Sequence, residues 1–384
     1  MMGSNFRFSR MVRPAVLVLS ALVLSACSLW KGGAERPKPA ELGPNIPVLA
    51  VRQAWTTRIG STAGLPLQVN VQAGSVVLAS SDGTVASLDA KTGADIWRAK
   101  LPERLAAGVG SDGRWAAVVS RENDLIVMES GRVLWRHRLP AQVFTAPLVA
   151  GERIFVLAAD RSLSAFDAAN GTSLWTQPGT GAPLVLRQSG VLLAVGDTLV
   201  VGMGGRLVGV NPNSGAVLWD APLANPRGTN DVERLVELVA PVARSQSRLC
   251  ARAFQASVAC VDLAGGRVDW AQKAYGGTGI SGDDSVVFGA ESNGTVVAWN
   301  RADGMRLWVS ERLRYRHLSA PLLLGRSVVV GDDTGWVHFL SREDASPLNR
   351  IGTDGSAIDV APVAAADTLV VVTRSGSVFG FRPD

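Results

Sequence analysis

Short aliphatic runs recur along the chain, each bounded by Gly, Asp or Ser: Val76-Val77-Leu78, Ala117-Val118-Val119, Ile154-Phe155-Val156, Leu199-Val200-Val201, Val286-Val287-Phe288, Val328-Val329-Val330 and Leu369-Val370-Val371-Val372. Runs so short, rich in β-branched residues and enclosed by turn formers, predict buried strands rather than helices. Tight turns follow at Asp82-Gly83, Asn293-Gly294, Thr334-Gly335 and Ser375-Gly376, and a second apolar run follows each turn, so the pattern is one of hairpins. Upstream stand Ala-Pro pairs at Ala146-Pro147, Ala240-Pro241, Ala320-Pro321 and Ala361-Pro362. Proline is tolerated at the first residue of a strand, which need not donate a ladder bond, so these pairs are expected to open strands.

Punctuating the runs, Trp55, Trp97, Trp135, Trp175, Trp219, Trp270 and Trp308 recur at intervals of 42, 38, 40, 44, 51 and 38 residues. All but Trp55 lie four residues after a glycine, at Gly93, Gly131, Gly171, Gly215, Gly266 and Gly304; all of these except Gly131 lie four after an Asp or Asn. The repeat therefore reads Asp/Asn-x-x-x-Gly-x-x-x-Trp. A period near 40 residues means a blade-by-blade β architecture, because one small sheet cannot bury both of its faces alone. With Leu249-Cys250-Ala251 as the fifth and weakest hairpin run, the hairpins count to eight units of about four strands each. One unit has Asn349 where a tryptophan is expected and Ala345 in place of its glycine. The last unit ends near Phe381, one strand short, while Trp55 has no hairpin before it. The segment around Ala54-Trp55-Thr56 is thus expected to supply the outermost strand of the last unit, closing a ring with no open end.

The segment from Ala86 to Trp97 resembles the tryptophan-docking motif of the eight-bladed, quinoprotein-type propellers. The resemblance implies an all-β, eight-bladed propeller of four-stranded antiparallel blades. It also implies that the seven tryptophans wedge between blades as structural residues rather than forming a cofactor cage.

At the N-terminus, Arg7, Arg10 and Arg13 precede an apolar stretch from Ala15 to Leu24, too short to span a bilayer and laid out as a secretory signal. It ends in Leu24-Ser25-Ala26-Cys27, which resembles the lipobox of bacterial lipoproteins. That implies cleavage of residues 1–26, acylation (palmitate and related chains) at Cys27, and stable anchoring by several chains. Ser28 after the cysteine implies export to the outer membrane. Residues 27–47 carry Pro37, Pro39, Pro44 and Pro47 without a hydrophobic period and read as a tether, leaving 48–384 for the propeller.

Charge changes the picture little. The formal +5 falls to +2 once the three signal arginines are removed, and no basic run interleaves with aromatics, which argues against nucleic acid. Beyond Cys27 the cysteines are Cys250 and Cys260, placed symmetrically about a turn near Gln255. An oxidising compartment permits a cross-strand disulfide; the alternative is two small core residues. His137, His317 and His338 are isolated, without partners at zinc spacing, and read as surface or blade-edge residues. Neither Gly-x-Ser-x-Gly nor Cys-x-x-Cys-His occurs, and Gly108 to Gly113 matches a dinucleotide fingerprint only by letter, since a strand follows it where a helix is required. The adjacent cysteine pair typical of quinoprotein dehydrogenases is missing. No catalytic residue, cofactor or metal is expected.

A lipid-tethered propeller without an active site resembles the BamB family, lipoproteins of the β-barrel assembly machine in Gram-negative outer membranes. The stretch from Ala182 to Gly190 is similar to that family's Leu-x-Leu-Arg segment, and residues 230–239 resemble its acidic segment. The resemblance implies docking on the periplasmic domains of BamA through Leu184 and Leu186 as apolar contacts, Arg187 as a charged donor and Glu237 as an acidic contact. Val239 stands where a second acid is expected. Other assembly-machine subunits and unfolded outer-membrane proteins, the latter along exposed blade edges, are further implied partners. The alternative is a lipid-anchored periplasmic sensor or ligand-binding propeller using its central channel.

Overall fold

The computed structural model describes residues 37–179, 184–226, 229–230 and 234–384. The signal segment, Cys27, Thr180 to Pro183 and Asp231 to Glu233 lie outside the described residues. Within residues 40–384, eight four-stranded sheets follow one another along the chain. Seven run in sequence order from an inner to an outer strand. Blade 1, for example, is Asn70–Gln72, Ser75–Ala79, Thr84–Asp89 and Asp95–Lys100. Blades 2 to 7 cover residues 110–138, 148–177, 192–222, 238–273, 280–310 and 322–352. Blade 8 takes Val363–Ala365, Thr368–Val372 and Ser377–Pro383 from the end of the chain and its outer strand, Val51–Arg58, from the beginning. Thr56 faces Phe379 and Trp55 faces Gly380 across that junction. The architecture is the eight-bladed propeller expected, closed by the N-terminal strand, and no helix occurs among the described residues.

Burial is greatest in the two middle strands of a blade. The second and third strands of blade 1 are almost wholly buried, whereas its outer strand alternates with solvent. The core therefore lies between neighbouring blades, distributed around the ring.

The Asp/Asn-x-x-x-Gly-x-x-x-Trp repeat serves two neighbours at once. The Asp or Asn side chain caps the turn between the third and outer strands: Asp89 Oδ1 accepts from the Lys91 and Thr92 amides at 3.0 and 2.8 Å, and Asn211 does the same for Asn213 and Ser214 at 2.8 and 3.2 Å. The glycine ends that turn with positive φ, and the tryptophan of the preceding blade lies on it. A Cβ at Gly93 would stand 2.5 Å from the Trp55 ring, and one at Gly304 2.6 Å from Trp270. Hence the position needs glycine twice over, for its left-handed backbone and for the close approach of the indole. Trp55, Trp135, Trp175, Trp270 and Trp308 then donate Nε1 to a carbonyl of the next blade, those of Ala90, Ala168, Pro212, Arg301 and Arg342. Trp55 and Trp270 are buried, while Trp97, Trp135, Trp175, Trp219 and Trp308 keep a partly exposed edge.

Several expectations are corrected. Pro241 does not open a strand; it lies inside Leu238–Arg244, at a register shift between Val239 and Ala243 where no ladder donor is needed. Gly110 and Ser111, within the glycine-rich stretch that only mimics a dinucleotide fingerprint, form the inner strand of blade 2, with Gly110 so close to the Pro147 carbonyl that a Cβ would collide with it. His338 is buried rather than at a surface, its Nε2 2.9 Å from Asp332 Oδ2, because it faces inward on the third strand of blade 7. His317 is exposed, and His137 packs its ring 4.7 Å from that of Phe166.

The expected tether ends earlier than residue 47. The Ala40 amide donates to the Arg314 carbonyl at 2.8 Å, Arg316 and Arg350 donate to the Ala40 and Gly43 carbonyls, and Asn45 Nδ2 donates to Asn349 Oδ1 at 3.1 Å. Polar contacts to its backbone thus hold the segment on blade 7, a mode that leaves no hydrophobic period in the sequence.

Cys250 and Cys260 face each other directly in the hairpin of blade 5 and are joined as a disulfide, with both side chains fully buried.

Candidate partner-docking face

The strip from Leu184 to Gly190 connects the outer strand of blade 3 to the inner strand of blade 4, but it runs beside blade 5. The Ala240 amide donates to the Ser189 carbonyl at 3.0 Å, and Gly190 bridges Val239. From the other side, Thr145 Oγ1 accepts the Gly190 amide at 2.9 Å. Blade 5 and the loop leading into blade 3 therefore fix the end of the strip, Ser189 and Gly190.

Further along, Arg187 is exposed and its Nη2 donates to the Gly64 carbonyl at 3.0 Å, across the mouth of the ring from the loop that precedes blade 1. Arg187 and Gln188 line that opening together with Gln68, Thr278, Val360 and Arg374. One guanidinium N–H is occupied by Gly64, and the planar fork has others to offer. Leu184 is exposed, and Leu186 is half-buried over a small cavity lined also by Leu157, Arg161, Glu237 and Leu238. Leu184 and Arg187 are thus exposed, while Leu186 turns toward the cavity that holds Arg161 and Glu237.

Glu237 does not join them as an outward charge. Its Oε1 accepts from Arg161 Nη2 at 2.6 Å, and both side chains are largely buried, at 16 and 13 % exposure. Burial pushes the Glu237 carboxyl above the usual carboxylate range, against the opposing effect of Arg161. The ion pair ties the start of blade 5 to the turn of blade 3 on either side of the strip, while the Glu237 carbonyl accepts the Phe254 amide at 2.8 Å. Val239, where an acid was expected, is a buried strand residue opposite Arg252, so the face carries no charge at that point.

Sequence reasoning missed the charges that hold this region. Arg252 is fully buried and donates through both terminal nitrogens to Glu291 Oε1 at 3.0 Å; burial lowers its pKa, against the attraction of Glu291. Space for its guanidinium comes from Gly276 and Gly289, where a Cβ would collide with it. No spacing rule marks such a pair, since 39 residues separate its members.

A quinone cofactor does not fit the side chains present. The two described cysteines are consumed in the disulfide of blade 5, and among the described residues no group of three or more His, Cys, Asp or Glu is placed to hold a metal ion. The buried Asp332 is committed to structure: burial raises its pKa, but bonds from His338, the Trp336 amide and Thr334 outweigh this and hold it below the usual carboxylate range.

Residues 81–310 match the family model described as "Outer membrane protein assembly factor BamB". The chain is 37% identical over 377 residues to the outer membrane protein assembly factor BamB of Burkholderia pseudomallei, covering 97% of this chain and 98% of that one. Its fold superposes on the crystal structure of BamB from Moraxella catarrhalis with a TM-score of 0.79 at 22% identity, covering 86% and 99% of the two chains. The quinohemoprotein alcohol dehydrogenase of Comamonas testosteroni shares the fold with a TM-score of 0.67 at 13% identity, covering 87% of this chain and 76% of that one.

Proposed function

This chain belongs to the family of the outer membrane protein assembly factor BamB, and we propose that it serves the assembly machinery as a lipid-anchored, non-catalytic scaffold docked on the periplasmic domains of BamA. The observation that carries the docking site is the strip from Leu184 to Gly190, pinned at Ser189 and Gly190 by blade 5 and Thr145, with Leu184 and Arg187 exposed and Leu186 half-buried between them. A scaffold needs this combination: a preorganised backbone, so that little ordering entropy is lost on binding, and an apolar anchor beside a guanidinium able to make charge-assisted bonds. Leu184 and Leu186 supply the apolar contacts and Arg187 the donor. Glu237 acts behind them as a positioning residue through Arg161, rather than as a direct contact.

The non-catalytic reading follows the family's description as an assembly factor, and the likeness to a dehydrogenase is one of fold alone. Anchoring at Cys27 rests on the lipobox-like sequence, which would keep the scaffold at the periplasmic face of the outer membrane, beside the barrel subunit.

The test is affinity purification of the tagged full-length protein from detergent-solubilised outer membranes, with mass spectrometry of partners and of the N-terminal peptide. Stoichiometric BamA together with an acylated Cys27 is the expected result. An acylated protein recovered alone would overturn the scaffold reading while leaving the anchor.

A further inference from the structure

The chain has only two tyrosines, and one of them, Tyr275, stands on the connection between blades 5 and 6 with 60 % of its surface exposed. Its backbone, by contrast, is fixed at three points. The Tyr275 amide donates to the Glu291 carboxylate, the Tyr275 carbonyl accepts the Ser292 amide at 3.1 Å, and the next carbonyl, that of Gly276, accepts the Gln255 amide at 3.0 Å. Gln255 and Ser292 are joined in turn through their side chains at 2.7 Å. The Tyr275 hydroxyl makes no hydrogen bond among the described residues.

The carboxylate that fixes Tyr275 through one oxygen holds the buried Arg252 through the other. Such a pair is weak evidence of stability, because apolar residues of similar volume often do as well or better. Apolar residues could not bond the Tyr275 amide, however, so the pair and the room that Gly276 and Gly289 leave for it serve to aim that residue. Arg252 and Glu291 are in this sense positioning residues.

Beside Tyr275 opens a groove of about 660 Å³, lined by Leu235 and Phe254, both half-buried, and by the exposed Gln255, Gln272 and Lys273. Among its described lining residues there is no carboxylate, and Lys273 has no ion-pair partner among the described residues. The groove and the docking strip share a wall. Leu235 and Val236 line the groove, whereas Glu237 and Leu238, next in the chain, line the cavity under Leu186, and the Glu237 carbonyl accepts the Phe254 amide at 2.8 Å. No more than about 11 Å of chain separates Leu235 from Leu238.

We infer that this groove is a second docking point for the partner of the strip, and that it takes an acidic segment carrying one large apolar side chain. The apolar group sits among Tyr275, Phe254 and Leu235, and the acid faces Lys273, the free cation of the groove. A tyrosine whose backbone is fixed beforehand loses little freedom on binding, and aromatic residues so placed carry a large share of interface energy. The inference rests on the docking reading of Leu184, Leu186 and Arg187, which it extends to the far side of Glu237.

The test is binding of the full-length protein to the periplasmic domains of BamA. Tyr275→Ala should raise Kd roughly tenfold, as the loss of an interface anchor does, with an unchanged unfolding midpoint. Tyr315→Ala, which removes the other tyrosine, should leave Kd as it is. An unchanged Kd in Tyr275→Ala, or an equal rise in both variants, overturns the inference. Lys273→Glu should weaken binding at low salt and do so less at high salt, and equal or tighter binding would overturn the acidic character of the segment. If wild-type protein does not bind these domains at all, the docking reading itself fails; if substitution of Leu184, Leu186 and Arg187 by Ala weakens binding while Tyr275→Ala does not, the groove alone is excluded.

Discussion

Six of the eight blade junctions are sealed by the same pair, a tryptophan on one blade lying over a glycine on the next, whereas the junction between blades 7 and 8 has neither. There Asn349 stands at the tryptophan position, and its Nδ2 donates to the Leu49 carbonyl at 2.8 Å. Leu49 fills in among Leu348, Phe379 and Phe381. At the remaining junction, between blades 6 and 7, Trp308 meets Ala345, a non-glycine residue at φ 58°. The difference teaches that a repeat position is a volume and a set of bonds rather than a residue type. Where the repeat lapses, a segment some 300 positions away supplies both, and the lapse is what gives the N-terminal segment its seat.

Removing Trp55 attacks a sealed junction that is also the closure of the ring. Trp55→Ala should lower unfolding stability by about 3–5 kcal/mol, measured by urea denaturation, because the buried indole leaves a cavity between blades 8 and 1. If its loss costs no more than a surface substitution, the wedge account of the junctions fails. At the lapsed junction, Asn349→Ala removes the side-chain donor to the Leu49 carbonyl and leaves Asn45 Nδ2 with only the Arg350 carbonyl, and should cost about 1–3 kcal/mol. Limited proteolysis should then cut within residues 40–49, which wild-type protein protects.

The glycine half of the pair gives a smaller effect of predictable sign. Gly304→Ala meets both a left-handed backbone and the Trp270 ring, so a loss of at least about 1–2 kcal/mol is expected. Ala345→Gly at the corresponding site should be neutral or mildly stabilising, since it relieves a positive φ. Equal penalties from the two changes would mean that the indole contact does not set the requirement.

The smallest effect is electrostatic. Burial pushes the Asp82 carboxyl up, but bonds from Ser80, Lys100 and Thr84 outweigh this and lower its pKa from the usual 3.8 to about 2. A folded-state pKa below the unfolded one means the contribution is present above pH ~4 and is lost as pH falls toward ~2. Acid titration of stability should therefore be shallower across that window in Asp82→Asn than in wild type.

The frame was legible because its signals are local and repeated: aliphatic runs, turn glycines and tryptophans at a near-constant period. Even the shared last blade could be read, since Trp55 lacked a hairpin and the final unit lacked a strand. The strip from Leu184 to Gly190 was singled out by its resemblance to a family segment, but the orientation of Glu237 was not legible. Its partner Arg161 lies 76 residues away on another blade, and no periodicity links the two. The burial of His338 was missed as well: its partner Asp332 is only six residues away, but Asp332 is itself buried by its bonds to Arg316 and to the turn before the strand. The seat of residues 40–49 was hidden for a different reason. Prolines and charges suggest a free linker, while the contacts that hold the segment run mostly through backbone carbonyls, which leave no mark in a sequence.

The most direct measurement is the affinity of the full-length protein for the periplasmic domains of BamA, wild type against the triple variant Leu184→Ala, Leu186→Ala, Arg187→Ala. A loss of at least tenfold in binding with an unchanged unfolding midpoint is what a preformed docking strip predicts. Wild-type affinity in a folded triple variant would contradict it and move the site to another face of the ring.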